Sequence, residues 1–166
     1  MLENDDDLLL FPPDPERADE EGFLGCGGLM EPDWLLAAYR KGIFPWYDDP
    51  DGTPYWYSVN PRMVLFPEKF KLSKSLRRTI KSGQFEVRID TCFDQVIRNC
   101  ASIRRKSEPD TWISPNFIES YNELHKLGFA HSFETFQDGE LVGGLYGVSL
   151  GGIFSGESMF AKVSNA

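Results

Sequence analysis

A chain of 166 residues with 41% hydrophobic and 14% aromatic content can bury a core, and it is too apolar to be disordered throughout. No apolar run approaches the roughly 18 residues of a membrane span. The start Met1-Leu2-Glu3-Asn4-Asp5-Asp6-Asp7 lacks the basic segment of a secretory signal, so a cytoplasmic protein is expected. The net charge of −9 argues against a nucleic-acid partner only until it is located: residues 1–33 hold eleven acids against Arg17, whereas Lys69 to Lys106 holds eleven bases against Glu86, Asp90 and Asp94. Charges further than about 10 Å are largely screened, so a phosphate backbone would meet the local basic field.

In chain order, residues 1–24 are acidic and carry Pro12, Pro13 and Pro15, which predicts an extended, weakly ordered segment. Gly25-Cys26-Gly27-Gly28 reads as a flexible turn. Pro32 suits the first turn of a helix running through Trp34, Leu35 and Ala38 and stopped by Gly42. From Phe44 to Pro61 the chain reads as a loop crowded with rings, Phe44, Trp46, Tyr47, Tyr55, Trp56 and Tyr57. Such a loop packs as a lid or holds a flat or apolar ligand. Met63 to Phe66 suggests a short strand ended by Pro67.

Ser73 is placed to cap a helix ending near Ser82-Gly83, on which Lys74, Arg77, Arg78 and Lys81 share one face. Phe85 to Ile89 alternates like a half-buried strand. Phe93, Val96, Ile97, Cys100 and Ala101 form a helical stripe. Ser114 as cap and Pro115 at the first position announce another helix, with Phe117, Tyr121 and Leu124 on one face and Gly128 closing it. Ser132 to Phe136, the Asp138-Gly139 turn and Leu141 to Val148 predict a hairpin, and Gly151-Gly152 allows a second turn into Ile153 to Ser155. The odd cysteines 26, 92 and 100 show no paired metal spacing, and His131 has no second histidine or cysteine at ligand spacing; it reads as a hydrogen-bonded structural residue, with catalysis the lesser alternative. The pattern is α+β.

Ordered blocks add a more specific reading. They are Gly27-Gly28-Leu29, Ala38-Tyr39, Gly42-Ile43-Phe44-Pro45-Trp46, Trp56 with Ser58, Pro61-Arg62, Val64-Leu65, Thr111-Trp112-Ile113, Ala130-His131-Ser132-Phe133-Glu134, Leu141 to Val148 and Gly156-Glu157-Ser158-Met159-Phe160. In this order, from about Gly25 to the last residue, the chain resembles the leucyl/phenylalanyl-tRNA–protein transferase family. That resemblance implies an enzyme moving leucine or phenylalanine from aminoacyl-tRNA to the N-terminal Arg or Lys of proteins, which marks them for degradation. It implies a small N-terminal domain over 25–62, followed over 63–166 by an acetyltransferase-like (GNAT) domain with a mostly antiparallel sheet. No cofactor and no metal are expected, and the chain shows no Gly-rich pyrophosphate loop for coenzyme A.

By the same resemblance, Leu145, Phe154 and Met159 line the aminoacyl pocket, and Glu157 is the active-site glutamate that holds an α-amine. Trp46 and Trp112 lie near the terminal adenosine of the tRNA, with Tyr39 and Tyr121 close by. Lys74, Arg77, Arg78 and Lys81 meet tRNA phosphates. Each has a plainer reading: a basic helix face is most often a solvated surface, clustered rings are most often packing, and Glu157 in a Gly-Glu-Ser turn can cap a following helix. The family's Asp-x-Gln motif has no counterpart before Ala166, so the resemblance implies a C-terminally truncated GNAT domain of little activity. A non-catalytic tRNA- or peptide-binding module is the alternative, and a coenzyme A-dependent acetyltransferase a third.

Overall fold

The computed structural model describes residues 11–103 and 111–166. Among them the chain forms two compact units, one from residues 11–62 with 111–126 and the other from 63–103 with 127–166. The helix announced by Ser114 thus belongs with the first unit, inside the stretch that the sequence assigns to the second domain. Residues 1–10 of the expected acidic segment lie outside the described residues.

The first unit is built on a three-stranded antiparallel sheet, β1 (Phe23–Cys26), β2 (Phe44–Asp48) and β3 (Pro54–Tyr57), in the order β1-β3-β2. Two expectations are corrected here. Gly25-Cys26 belongs to a strand rather than to a flexible turn, and most of the ring-rich loop is a hairpin. Its rings are strand formers, and along β3 they alternate: Pro54 and Trp56 point inward, Tyr55 and Tyr57 outward. Pro45 hid the strand from a sequence reading, yet β2 is an edge strand, where a residue without an N–H is tolerated. The turn between β2 and β3 is closed by Asp49, whose carboxylate accepts the Thr53 amide at 3.0 Å.

Helix α1 (Pro32–Arg40) begins with the expected proline and buries Leu35, Leu36 and Ala38. Trp56 is fully buried beside them, and its indole N–H donates to the Gly27 carbonyl at 2.8 Å. The acidic segment is more tied down than its composition suggests: the Phe11 ring lies 4.2 Å from Trp34 and 4.8 Å from Trp56, and Asp14 caps a 3-10 turn at Pro15–Arg17.

The second unit contains helix α2 (Lys74–Ser82), β4 (Glu86–Ile89), helix α3 (Phe93–Ser102), β5 (Ala130–Gln137), β6 (Glu140–Leu150) and β7 (Ile153–Ala161). The strands form an antiparallel meander in the order β4-β5-β6-β7. Asp138 and Gly139 both take positive φ, the two-residue turn that matches strand twist, as their sequence predicts. Strand β7 runs well past the expected Ser155. The α3 stripe Phe93, Val96, Ile97 and Cys100 is buried against one face of the sheet, with Phe93 edge-on to Tyr146 at 5.8 Å.

Met63 to Phe66 is not a strand. The segment is exposed and pairs with no strand among the described residues, and an extended stretch without a ladder partner gains nothing from its backbone groups. In β4 the alternation is real, but Val87 and Ile89 are exposed, because they share the sheet face opposite α3.

Helix α4 (Pro115–Lys126) completes the first unit. The Ser114 hydroxyl accepts the Phe117 amide at 3.2 Å, as a cap should. The helix buries Phe117, Tyr121 and Leu124.

Candidate active site

Trp46 is the extra residue of a β-bulge. In the β2–β3 ladder Pro45 faces Trp56 and Tyr47 faces Tyr55, so Trp46 has no partner opposite it. A bulge bends the strand and re-aims the side chain. The ring consequently stands 45% exposed on the outer face of the sheet, 5.0 Å from Tyr57 and edge-on to it. Around it the outer face is continuous aromatic surface: Tyr47 stacks on Tyr55 at 4.6 Å, and Phe23 lies 5.3 Å from Tyr57. Arg62 lays its guanidinium over Phe44 at 4.8 Å. Burial and the hydrogen bond to the Tyr47 hydroxyl push the Tyr57 phenol up to about 12.

Of the other three first-unit residues, Tyr39 and Tyr121 stand on helices and Trp112 lies just ahead of α4. Tyr39 of α1 and Tyr121 of α4 join their hydroxyls at 2.6 Å, and Trp112 meets Phe117 edge-on at 5.5 Å. Asp48 at the end of β2 links the hairpin to this helix, accepting from the Ser114 hydroxyl at 2.7 Å and from the Asn116 amide at 3.2 Å. Sequence reading missed Asp48, which stands in an Asp-Asp-Pro run that signals only a turn. An open cleft of about 740 Å³ in this unit is lined by Glu31, Asp48, Asp49, Asp51, Glu119 and Glu123. A field of that sign repels phosphate.

In the second unit the four cations stand on one exposed helix. The Ser73 hydroxyl accepts the Leu76 amide at 3.1 Å, and Gly83 ends α2 with φ of 68°. No α2 residue is buried, and among the described residues none of Lys74, Arg77, Arg78 and Lys81 forms a salt bridge. The charges are thus available to a polyanion.

Leu145, Phe154 and Met159 come together on the sheet face opposite α3. Leu145 is paired with Phe133 on one side and with Met159 on the other. Phe154 lies over Gly147: a Cβ there would fall 2.3 Å from the Ser155 carbonyl oxygen and 2.6 Å from the ring's Cζ, which is why that position requires glycine. Phe133 closes edge-on to Phe154 at 5.6 Å. The result is an open apolar surface rather than an enclosed pocket, with Met159 68% exposed.

Glu157 does not sit in a turn before a helix, so the capping alternative is removed. It lies within β7 and is the extra residue of a second bulge, between Gly156 opposite Gly147 and Ser158 opposite Tyr146. Both residues that the sequence singles out most sharply, Trp46 and Glu157, therefore stand at ladder irregularities.

Two acids that sequence reading passed over organise the second unit. Glu134 of β5 is completely buried and accepts from the Ser132 hydroxyl at 2.5 Å, the Thr91 amide at 3.2 Å and the Thr91 hydroxyl at 3.0 Å. The Thr91 and Cys92 amides both lie just before α3, so the carboxylate ties the entry to that helix to a neighbouring strand. Asp90, just after β4, accepts the Ser132 amide at 2.8 Å and contacts His131 Nδ1 at 2.7 Å. His131 is hydrogen-bonded, as its isolation in the sequence suggested.

Comparison with known proteins gives the family. Residues 28–60 match the leucyl/phenylalanyl-tRNA protein transferase N-terminal domain, and residues 64–166 match the leucyl/phenylalanyl-tRNA protein transferase family itself. A leucyl/phenylalanyl-tRNA–protein transferase of Dechloromonas aromatica is 54% identical over 96% of this chain and 68% of its own length. One of Myxococcus xanthus is 50% identical over 99% of the chain and 70% of its own length. One of Legionella pneumophila is 49% identical over 93% and 68%. The chain belongs to the leucyl/phenylalanyl-tRNA–protein transferase family and is by that membership an aminoacyltransferase.

Proposed function

We propose that the chain transfers leucine or phenylalanine from aminoacyl-tRNA to the N-terminal Arg or Lys of proteins in the cytoplasm, on an acetyltransferase-like fold in its second unit. The observation that carries this reading is the convergence of Leu145, Phe154 and Met159 on one apolar sheet face beside the Glu157 bulge. The aminoacyl ester is already activated, so the protein's task is to align an amine with a carbonyl and manage a proton and an oxyanion. An apolar surface recognises leucine and phenylalanine by area, and one methylene is worth about 1–3 kcal/mol there, so related side chains would be tolerated. Glu157 supplies a carboxylate to hold an α-ammonium by charge-assisted hydrogen bonds.

On the tRNA side, the exposed Trp46 and Trp112, just ahead of α4, would offer planar faces to the terminal adenine, with Tyr39 on α1 and Tyr121 on α4 as further rings. A base stacked on such a ring contributes about 1–3 kcal/mol. Lys74, Arg77, Arg78 and Lys81 would meet acceptor-stem phosphates, which fix position without reading sequence. Helix α2 suits this role, whereas the acidic cleft of the first unit does not.

The test is transfer of radiolabelled leucine from Leu-tRNA to a protein with an N-terminal arginine. Transfer is expected, and it should weaken steeply as salt is raised. Replacing Lys74 and Arg78 together by alanine should flatten that salt dependence. Absence of transfer together with absence of tRNA binding would overturn the reading.

A further inference from the structure

The reaction just proposed takes two substrates, a polyanion and a polypeptide that begins with a cation, and this inference rests on that reading. We propose that the open acidic cleft of the first unit holds the acceptor polypeptide, through a Lys- or Arg-rich stretch that follows its N-terminal residue.

The cleft differs from an ordinary solvated acidic surface in how its charges are arranged. Two of its six carboxylates serve the local fold. Glu31 immediately precedes α1, where the helix dipole favours an acid, and Asp48 receives the Ser114 hydroxyl and the Asn116 amide. The other four form two like-charge pairs. Glu119 and Glu123 stand one helical turn apart on α4, a spacing that brings their charges together. Asp49 and Asp51 stand in the turn between β2 and β3, where both accept the Thr53 amide, at 3.0 and 3.3 Å. The Asp51 carboxylate hydrogen-bonds to Asp49 and pushes it above the usual carboxylate range, while Asp51 is held below it. Lys126 reaches Glu123 at 2.5 Å, but no lysine, arginine or histidine lines the cleft itself. Repulsion within each pair disfavours the empty cleft, and a cation set between the carboxylates would relieve it.

Two side chains point to a ligand independently of this field. Ser120 of α4 lines the cleft and is only 6% exposed, yet among the described residues its hydroxyl has no hydrogen-bond partner. A polar side chain within a helix can bond back to the carbonyl one turn before it, as Asn122 does to Ile118 at 2.8 Å. Ser120 makes no such bond, and its hydroxyl is not sealed inside the unit but opens to the cleft. A nearly buried hydroxyl without a partner carries a desolvation cost that a ligand's N–H or carbonyl would remove. Asp48 is the second. Both of its side-chain donors meet Oδ2, so Oδ1 is held in place with its lone pairs open.

Size and spacing select the occupant. A volume of about 740 Å³ falls within the range of pockets that hold extended ligands, about 300–1,000 Å³. A single metal ion fits poorly, because among the described residues no three Asp, Glu, His or Cys side chains are grouped to hold one. Separated carboxylates match separated cations, as several Lys or Arg side chains on one chain would supply. Guanidinium groups can meet carboxylates bidentately, and a peptide backbone brings the donors and acceptors that Ser120 lacks. Of the two substrates, tRNA is repelled by the same field, which leaves the polypeptide.

The experiment is fluorescence anisotropy with two peptides that share an N-terminal arginine and carry the label at the C-terminus. One has lysines and arginines at its third to sixth positions, and the other has glutamines there. Both are measured without tRNA against wild type, Asp51→Asn combined with Glu119→Gln, and Ser120→Ala. Asp51 and Glu119 are exposed, so their neutral isosteres leave the packing intact. The basic peptide is expected to bind wild type about tenfold tighter than the neutral one, with the preference shrinking as salt rises. The combined charge variant should lose that preference and keep the wild-type affinity for the neutral peptide. Ser120→Ala should weaken both peptides about threefold without altering the salt dependence, a response that a diffuse acidic field would not give. In leucine transfer, the charge variant should raise KM for the basic peptide alone and leave kcat unchanged. Equal binding of the two peptides by wild type, or a preference kept by the charge variant, overturns the assignment. If wild type transfers leucine to both peptides with equal KM, only this inference is lost; if it transfers to neither, the transferase reading fails and the acceptor assignment fails with it.

Discussion

The two sheets solve the same problem in different ways. Each is antiparallel, each buries one face under helix, and each leaves the other face rich in apolar groups. In the first unit that outer face is aromatic and its rings satisfy one another, as Tyr47 does on Tyr55 and Trp46 against Tyr57. In the second it is largely aliphatic, with Val87, Ile89 and Met159 exposed and a smaller aromatic contact between Phe133 and Phe154. Rings carry a quadrupole and a fixed shape, so a ring face is a defined platform even when wet. Flexible aliphatic side chains define a surface only when something is laid on them. A platform suits a planar base, and an adaptable apolar surface suits a leucine or phenylalanine side chain.

The buried faces differ as well, and this is where the comparison breaks most easily. Under the first sheet the anchor is Trp56, fully buried and hydrogen-bonded to Gly27. Trp56→Ala should cost about 3–5 kcal/mol through the cavity it leaves, measured by urea unfolding. If it costs much less, the outer rings rather than the buried face hold this sheet together.

Under the second sheet the anchor is polar. Glu134→Gln keeps the shape of the side chain but replaces a carboxylate oxygen with an amide that donates where Thr91 and Ser132 already donate. A loss of about 1.5–3 kcal/mol is expected, the scale of hydrogen bonds to a charged group. Unchanged stability would show that the charge is not needed at the start of α3.

The smallest effect sharpens the aromatic side. Tyr57 ionises at about 12 in the folded chain against an ordinary 10.0, because of burial and its bond to Tyr47. The folded chain therefore keeps that proton where the unfolded chain has begun to lose it. The stability involved is fully present below pH 10.0 and is lost as pH rises toward about 12. Tyr57→Phe should reduce the fall in stability over that window, and an identical fall would place the alkaline sensitivity in other groups.

Local signals carried far into the helices. Pro32, Ser73, Ser114 and Gly83 are caps and stops whose chemistry acts within a turn, so each helix start or stop they mark is where the sequence places it. The Asp138-Gly139 turn acts equally locally. By contrast, Met63 to Phe66 had strand composition but no partner strand, and the ring-rich stretch after Phe44 had prolines but found one. Strand formation depends on what lies across the ladder, which no short window contains.

The site divides along the same line. From its ordered motifs the sequence named the family, the aromatic and aliphatic groups and the basic helix, because these depend on residue identity and local spacing. It did not place Trp46 and Glu157 on bulges, and it did not show that Ser132 and Glu134 face the core while Phe133 and His131 face outward. Along β5 both alternating sets read as plausible, and a shift of one residue exchanges them. What decided between them was the segment entering α3, whose Thr91 and Cys92 amides find an acceptor in Glu134 across the sheet. That choice turns His131 toward the apolar face, and only the tertiary structure could make it.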